Sequence, residues 1–387
     1  MVGAGQLARM THQAAIDLGI DLVVLATSEH EPAVRSGATT LLGRPDDRAA
    51  LHQLAARCDV VTFDHEQVPA DLVAELAASG HRVGPSGEAL RLAQDKLLAR
   101  VLLAEAGLPV PDATGLGDDV EREVAAFAEA TGWPVVLKAR SGGYDGRGVE
   151  VVGAPDQLPA ALARLGAVPQ GAGSPPPVTL ARPLLVEAHV PIALELAILG
   201  VRTVRGSWVA YPPIATVQVD GICHELVMPA PIPDDVAERA GRLARTLADG
   251  IGAVGVIAVE LFLTTDGALV VNELALRPHN SGHATIEAAA TSQFQNHLRA
   301  VLDWPLGSTE LRAPAAAMVN VLGDPGGADP RHHLDAALAV GGASVHLYDK
   351  SPAPGRKLGH VTALGARADE ALAVARRAAR ALQGDHR

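Results

Sequence analysis

Cysteine is nearly missing from this chain: Cys58 and Cys223 are the only two in 387 residues. They lie far apart and match no metal-ligand spacing, so the expectation is a reducing, cytoplasmic setting without disulfides. Aromatic residues are scarce too, at 3%, so Ala, Gly, Val and Leu must fill the core. No apolar run approaches the ~20 residues of a membrane helix. No basic region followed by an apolar stretch marks a signal peptide. Positive charge is in deficit: 32 Lys and Arg stand against 44 Asp and Glu, a formal net charge of −12. That argues against a nucleic-acid or anionic-membrane surface, but not against a small phosphorylated ligand in a local basic pocket. Hydrophobic residues make up 48% of the chain, enough for a large core, and the length suits two or three domains.

The most informative stretch spans 254–283, VGVIAVELFLTTDGALVVNELALRPHNSGH. Asp266-Gly267 between two apolar runs predicts a two-residue hairpin turn with positive φ at both positions. The register then places Thr265 opposite Ala268, Leu263 opposite Val270, and Glu260 opposite Glu273. Like charges directly opposite repel. Either the pair is solvated on an edge hairpin, or a divalent cation such as Mg²⁺ offsets the repulsion, taking carboxylate oxygens together with substrate phosphates. Arg277, His279, Asn280 and His283 follow in a segment broken by Pro278 and Gly282. A guanidinium, two imidazoles and an amide so close together point to an anion site beside a metal site.

At the N-terminus, Gly3-x-Gly5-x-x-Ala8 has the spacing of a strand–turn–helix nucleotide fold, with helix Gln6–Leu18 and a strand over 22–26 to follow. Phosphate binding and tight packing of a first βα turn both fit it. The preceding strand is almost absent: either it is very short, or a few residues precede Met1. A strand over 59–64 ends in Asp64, His65 and Glu66, where open α/β sheets bind ligands; Asp64 as a simple turn cap is the alternative. Ser86 is a plausible N-cap for one helix over 88–106, which carries Lys96. A strand over 133–139 carries Lys138. The loop Arg140-Ser141-Gly142-Gly143-Tyr144-Asp145-Gly146-Arg147-Gly148 follows, ahead of strand Val149–Val152. Its glycines let backbone N–H groups approach an anion and let the loop close as a lid. No Gly-Lys-Ser/Thr ends it, so it is not a Walker loop.

Residues 166–178 read as a surface connector. A strand over 184–187 leads into Glu187-Ala188-His189-Val190, whose backbone suits an adenine edge. A strand ending at Leu199 carries Glu195, which suits ribose hydroxyls or is merely solvated. Asp234–Gly250 is an amphipathic helix with two acids in its first turn, as the macrodipole favours. Strands over 316–322 and 345–348 precede Lys350, Arg356 and Lys357 on a Pro/Gly-stiffened loop, either a phosphate clamp or three solvated cations. A packing helix over 369–382 closes the chain.

A Lys before a Gly-rich loop, a second Lys upstream and a late pair of metal carboxylates on adjacent strands together resemble the ATP-grasp superfamily. Four motifs narrow this: GAGQLARM, SGGYDGRG, NELALRPHNSGH with TSQFQNHLRAV, and HLYDKSPAPGRKLGH. From Met1 to about Thr362 the chain is similar to the ATP-dependent 5-(carboxyamino)imidazole ribonucleotide synthases of purine biosynthesis. The resemblance implies an α/β and α+β multidomain ATP-grasp fold with a Rossmann-like pre-ATP-grasp domain and a small C-terminal β-rich module. The expected divisions are 1–84, 85–199 and 200–387. It implies that ATP, bicarbonate and 5-aminoimidazole ribonucleotide give the N5-carboxyamino ribonucleotide, ADP and phosphate by way of carboxyphosphate. Mg²⁺, or Mn²⁺ in its place, falls to Glu260 and Glu273. Nucleotide binding falls to Lys96, Lys138, the loop Gly143, Tyr144, Asp145, Gly146, Arg147, Gly148 and Val149, then Glu187, Ala188, His189, Val190, Glu195, Gln218, Asn272 and Glu273. Arg277, His279 and Asn280 match the bicarbonate side, and Tyr144, Asp145 and Arg147 the surroundings of the acceptor. Lys350, Arg356 and Lys357 match the grip on its ribose phosphate, with Gln6 and Glu66 as N-terminal contacts. A homodimer is implied as well.

The chain departs from that pattern at Leu276, where relatives often have Pro, at Ala353, often Arg, and at Gln218, a His. The wider superfamily often has Asn where Ala275 stands. Strand alternation turns Asn272 to the opposite face from Glu273, so two carboxylate ligands are expected rather than a triad. Three other readings compete. A formate-dependent glycinamide ribonucleotide transformylase should not combine SGGYDGRG with PGRKLGH. A nicotinamide-dependent oxidoreductase, suggested by the first glycines, leaves the central hairpin unexplained. A non-catalytic nucleotide-binding regulator should have lost a metal carboxylate or a loop cation, yet Glu260, Glu273, Lys138 and Arg147 are all present.

Overall fold

The computed structural model describes residues 1–142, 146–169, 178–180 and 183–384. Gly143, Tyr144 and Asp145 of the glycine loop lie outside the described residues, as does most of the expected connector.

The N-terminal unit is a small parallel sheet with helices around it. Strand Val23–Ala26 pairs in parallel with Thr39–Leu42. The stub before Gly3 lies beside it: Val2 bridges Leu25 on one side and Phe63 on the other. Leu25 N donates to Met1 O at 2.9 Å and Val2 N to Thr62 O at 2.7 Å, so the short first strand is paired on both flanks. The expected 59–64 strand makes only single bridges, at Phe63 and Val61.

The glycine turn is shaped by Asp64. Gly3 has φ 97°, and a Cβ there would lie 1.7 Å from Asp64 Oδ1. Gly5 N, at the start of helix Gln6–Leu18, donates to Asp64 Oδ2 at 2.7 Å. The chain's own carboxylate therefore fills the seat at a helix N-terminus that a dinucleotide phosphate would take. This removes the structural basis of the oxidoreductase reading.

The single helix expected over 88–106 is two. Ser86 caps Gly87–Gln94 by accepting from Ala89 N, as expected. Asp95 then leaves helical geometry, at φ −119° and ψ 104°, and caps Lys96–Glu105 by accepting from Leu97 N and Leu98 N. Asp95 also pairs with the Arg140 guanidinium, and Lys96 N donates to Arg140 O at 2.9 Å. The break puts Lys96 at a helix start rather than mid-helix.

A four-stranded antiparallel sheet follows, in the order Ala113–Gly115, Leu184–Ala188, Val135–Ala139, Val149–Val152. Helices Val120–Thr131 and Leu158–Arg164 cover it through Val124, Ala128, Leu158 and Leu162. The largest sheet has nine strands. It runs Leu269–Ala275, Gly255–Thr264, Ile192–Arg202, Ile214–Val219, Ile222–Met228, Ala315–Leu322, Lys357–Gly365, Ala343–Leu347, with Trp208–Ala210 beside Ile192–Arg202. The expected division at Leu199 falls inside strand Ile192–Arg202.

Helix Asp234–Gly250 buries Val236, Ala240, Ala244, Leu247 and Ala248, a helical stripe against Ile198, Ile257 and Val259. With few aromatics available, alanine lets helix and sheet approach closely. The opposite face is covered by Ala284, Ala288 and Ala300.

His297 ties the units together. Its Nδ1 accepts from Val256 N at 3.1 Å, and its Nε2 lies 2.9 Å from Thr62 Oγ1 in the N-terminal unit. Burial pushes its pKa down to about 3, so the ring is neutral. His297→Ala is expected to cost about 2–4 kcal/mol, since it opens a cavity and strips two buried groups of a partner. Urea unfolding checks this; a loss below about 1 kcal/mol would mean that the contact is incidental.

Candidate functional site

One cavity of 1380 Å³ opens where the three sheets converge. Its floor is the hairpin Gly255–Thr264 and Leu269–Ala275. Glu260 does pair with Glu273, but not through the expected turn. Thr264 N donates to Ala268 O at 2.9 Å, Leu263 pairs with Leu269, and only Gly267 has positive φ, at 84°. The loop thus has three residues, with Gly267 in the left-handed position. A bulge between Glu260 and Leu261 then shifts the register back by one. The two offsets cancel at the glutamates.

The bulge also corrects Asn272. Alternation would turn it away; instead Asn272 Nδ2 donates to Glu260 Oε2 at 3.3 Å, and its Oδ1 accepts from Lys138 Nζ at 3.2 Å. Asn272 and Glu273 therefore face the same side. Lys96 Nζ lies 2.6 Å from Glu273 Oε1. Burial, then the charges of Glu273 and Glu195, push the Glu260 carboxyl up to about 7. Two crowded carboxylates, one of them resisting ionisation, are a donor set that a hard divalent cation would relieve. Among the described residues no cluster of three or more His, Cys, Asp or Glu has metal-binding geometry. A cation here would depend on phosphate oxygens to complete its shell.

Behind the hairpin, Lys138 Nζ lies 2.7 Å from Glu187 Oε2, and Arg100 Nε lies 2.8 Å from Glu187 Oε1. Glu187 is 2% exposed, so its carboxylate is spent on these cations and not offered to a ligand. Arg100, which also donates to Asn272 O at 2.6 Å, carries almost no signal in the sequence. Its only trace there is an Arg on the inner face of a short helix. Ala188, His189 and Val190 line the adjoining wall, with Glu195 and Gln218 hydrogen-bonded to each other. Burial raises the Glu195 pKa, a pull that Gln218 opposes. Gly146 and Val149 line the cavity from the glycine loop; Arg147 and Gly148 do not.

On the other side of the glutamates the segment after Leu276 presents donors. Arg277 Nε lies 2.7 Å from Glu66 Oε2. Ser281 N donates to His279 Nδ1 at 3.4 Å, which leaves the hydrogen on Nε2, 3.6 Å from Glu260 Oε1. Burial, then Arg277 and Lys357, drop the His279 pKa to about 3, so it is a neutral donor near neutral pH. Gln293, fully buried, grips the His279 backbone twice: its Oε1 accepts from His279 N and its Nε2 donates to His279 O, both at 2.8 Å. His283 is not part of this array. It turns into the core, with Nδ1 3.2 Å from Gln293 Nε2 and its ring stacked on Phe294.

Gln6, Asp64 and Glu66 line the N-terminal corner. Asp64 Oδ1 and Glu66 Oε1 are buried acceptors with no hydrogen-bond partner among the described residues, although His65 Nε2 lies 3.8 Å from Asp64 Oδ1. Of the tail cations, Lys357 lines the cavity. Lys350 and Arg356 do not; Arg356 is exposed and donates to Ser351 O at 3.0 Å.

The ribonucleotide synthetase preATP-grasp domain family matches residues 1–94, the ATP-grasp domain family 101–294, and the phosphoribosylaminoimidazole carboxylase C-terminal domain family 316–374. The N5-carboxyaminoimidazole ribonucleotide synthase of Mycobacterium tuberculosis is 50% identical over 375 residues, 94% of this chain and 83% of that protein. The chain belongs to the N5-carboxyaminoimidazole ribonucleotide synthase family. It is an ATP-grasp ligase. The crystal structure of the Aspergillus clavatus synthase with ATP is 35% identical with a TM-score of 0.88, covering 99% of this chain and 98% of that one. A second, of the same organism's synthase with ADP and 5-aminoimidazole ribonucleotide, is 34% identical with a TM-score of 0.88, over 99% and 98%.

The departures from the synthase pattern have local settings. Leu276 is 1% exposed and packs into the core beside helix Asp234–Gly250, where an apolar side chain suffices. Ala353 caps a turn, its O accepting from Arg356 N at 3.0 Å. Gly323 sits so close that a Cβ there would lie 2.1 Å from Ala353 O. Gln218 substitutes an amide for an imidazole beside Glu195. Among the described residues no helix is long and apolar enough to cross a membrane.

Proposed function

We propose that this synthase carboxylates the exocyclic amine of 5-aminoimidazole ribonucleotide, using bicarbonate and ATP and releasing ADP and phosphate. One observation carries the residue assignments. The crowded Glu260–Glu273 pair has two lysines on one flank and the donors Arg277, His279 and Asn280 on the other, all facing one cavity. The lysine flank suits the β- and γ-phosphates, with adenosine along 187–190 and its ribose near Glu195. The donor flank suits bicarbonate and the carboxyphosphate made from it. Asp64 Oδ1 and Glu66 Oε1, the buried acceptors without a hydrogen-bond partner among the described residues, suit ribose hydroxyls of the ribonucleotide, and Lys357 its phosphate. Tyr144, Asp145 and Arg147 belong by resemblance around the acceptor, and Lys350 and Arg356 with Lys357. For those two, the tail loop would have to move inward.

Glu260 and Glu273 are the residues that would hold Mg²⁺, which when bound supplies charge neutralisation on the phosphates. The chain's own groups do the rest. Lys96 and Lys138 align the γ-phosphoryl group, and a bicarbonate oxygen displaces ADP from it. Neutral His279, Arg277 and Asn280 bind the carboxyphosphate oxygens. Carboxyphosphate splits to CO₂ and phosphate, the amine lone pair bonds to the carbon, and the departing phosphate takes the amine proton. A closed cavity keeps water from the intermediate. We further take the working form to be a cytoplasmic homodimer whose units divide near 84 and just before Ile192.

The deciding assay is ADP release with Mg·ATP and bicarbonate, with and without 5-aminoimidazole ribonucleotide. Stimulation of about tenfold or more is expected, because the acceptor completes the site; no stimulation with ATP still bound would point to another acceptor. A second expectation concerns Mg²⁺. Glu260 must lose its proton to bind a cation, and it titrates near 7. Apparent Mg²⁺ affinity, measured with a non-hydrolysable ATP analogue, should therefore weaken about tenfold per unit as pH falls below 7 and level off above 8. A flat profile between pH 6 and 8 would remove Glu260 from the cation site.

A further inference from the structure

Asn320 sits in strand Ala315–Leu322, in the C-terminal part of the sheet, and is 5% exposed. Its amide faces a backbone carbonyl: Nδ2 lies 2.9 Å from Cys223 O. A carbonyl only accepts, so the atom facing it must be the nitrogen, and this fixes which way the Asn320 amide points. The consequence passes to Asn280. Asn320 Nδ2 gives its second hydrogen to Asn280 Oδ1 at 2.9 Å, and Asn320 Oδ1 accepts from Asn280 Nδ2 at 3.0 Å. The two amides form a reciprocal pair, and Asn280 has no freedom to exchange its oxygen and nitrogen. Its Nδ2 has one hydrogen in the pair and one left over, and Asn280 lines the cavity.

We infer that Asn320 is a positioning residue that fixes the Asn280 amide, so that the cavity meets an N–H donor there and not a carbonyl lone pair. The distinction matters for an anion. An amide turned the other way would set its oxygen against carboxyphosphate or bicarbonate, replacing an attraction with a repulsion. No residue of the strand carrying Asn320 lines the cavity; Asn320 reaches it through Asn280 and through the Cys223 carbonyl, Cys223 being a wall residue as well. This rests on the proposed reading of Asn280 as a contact on the bicarbonate side.

The test is a double-mutant cycle on bicarbonate-dependent ADP release with the ribonucleotide present. Asn280→Ala removes the donor. Asn320→Asp keeps the shape of the side chain but has no N–H. Its carboxylate repels Asn280 Oδ1 and draws the Asn280 hydrogens toward itself. Each single variant should lower kcat/KM for bicarbonate about tenfold, as expected for one charge-assisted hydrogen bond. The double variant should lie within about twofold of Asn280→Ala, because the effect of Asn320 on the anion runs through Asn280; an effect carried by the Cys223 carbonyl would add to it. KM for ATP should stay within about twofold throughout. Asn320→Ser, which leaves the Asn280 amide free to turn, should show the same non-additivity and serves if the aspartate does not fold. Additive losses, or unchanged bicarbonate kinetics in both Asn320 variants, would overturn the positioning role. Unchanged kinetics in Asn280→Ala would overturn the reading of Asn280, and the inference with it.

Discussion

Glu273→Gln should abolish ATP turnover and leave the protein folded. The substitution keeps size and shape, and the Glu273 side chain is 44% exposed, so its pairing with Lys96 contributes little to stability. What it removes is half of the carboxylate pair on which cation binding depends. Losing the charge neutralisation that a bound cation gives the phosphates is expected to lower kcat about 10³-fold or more, several kcal/mol in the barrier. Stability should move the other way. Glu273 stands opposite Glu260, and its charge is the second cause, after burial, of the raised Glu260 pKa. With glutamine at 273 that repulsion disappears, so without metal the variant should unfold at the same temperature or slightly higher. Steady-state ADP release and thermal unfolding without Mg²⁺ check both halves. Turnover within about tenfold of the unaltered enzyme would place the cation elsewhere.

The same hairpin shows what could be read from the residues and what could not. The opposition of Glu260 and Glu273 was legible, because Asp-Gly between apolar runs marks a reversal and the glutamates lie symmetrically about it. The path between them was not. A three-residue loop and a one-residue bulge each shift the register by one, in opposite senses, and no local signal announces either. Alternation fails at a bulge, so it gives the wrong face for Asn272. The break at Asp95 is a second case. Helical periodicity runs through it, and only the distant Arg140 makes an Asp there worth more as a cap than as a helical residue. Asp64 is a third: strand position marked it for the site corner, but its bond to Gly5 N needs the turn in place before it exists. His283 turns into the core, and proximity in sequence does not say which way a side chain turns after a glycine. Helices with clear stripes, Gln6–Leu18 and Asp234–Gly250, were readable to the residue because their apolar faces and end signals are local.

Glu187→Gln is expected to cost about 3–5 kcal/mol of stability, the range for removing one member of a buried ion pair. Glu187 is 2% exposed and is the common partner of Arg100, 4% exposed, and Lys138, 8% exposed. Glutamine keeps the shape and leaves two buried cations side by side. Lys138 is the one that can yield. Burial already holds its pKa below the usual lysine value, and Glu187 is the main force opposing that shift. Without the carboxylate the pKa falls further. A lysine whose pKa is depressed on folding binds fewer protons folded than unfolded, so stability rises with pH across that interval. The destabilisation of Glu187→Gln should therefore be larger at pH 7 than at pH 9. ATP binding should weaken at both, because a neutral Lys138 no longer attracts phosphate. Urea unfolding at the two pH values, with ATP titration alongside, separates the outcomes. A cost that does not depend on pH would mean that Lys138 keeps its proton and that Asn272, 3.2 Å from Nζ, suffices to hold it.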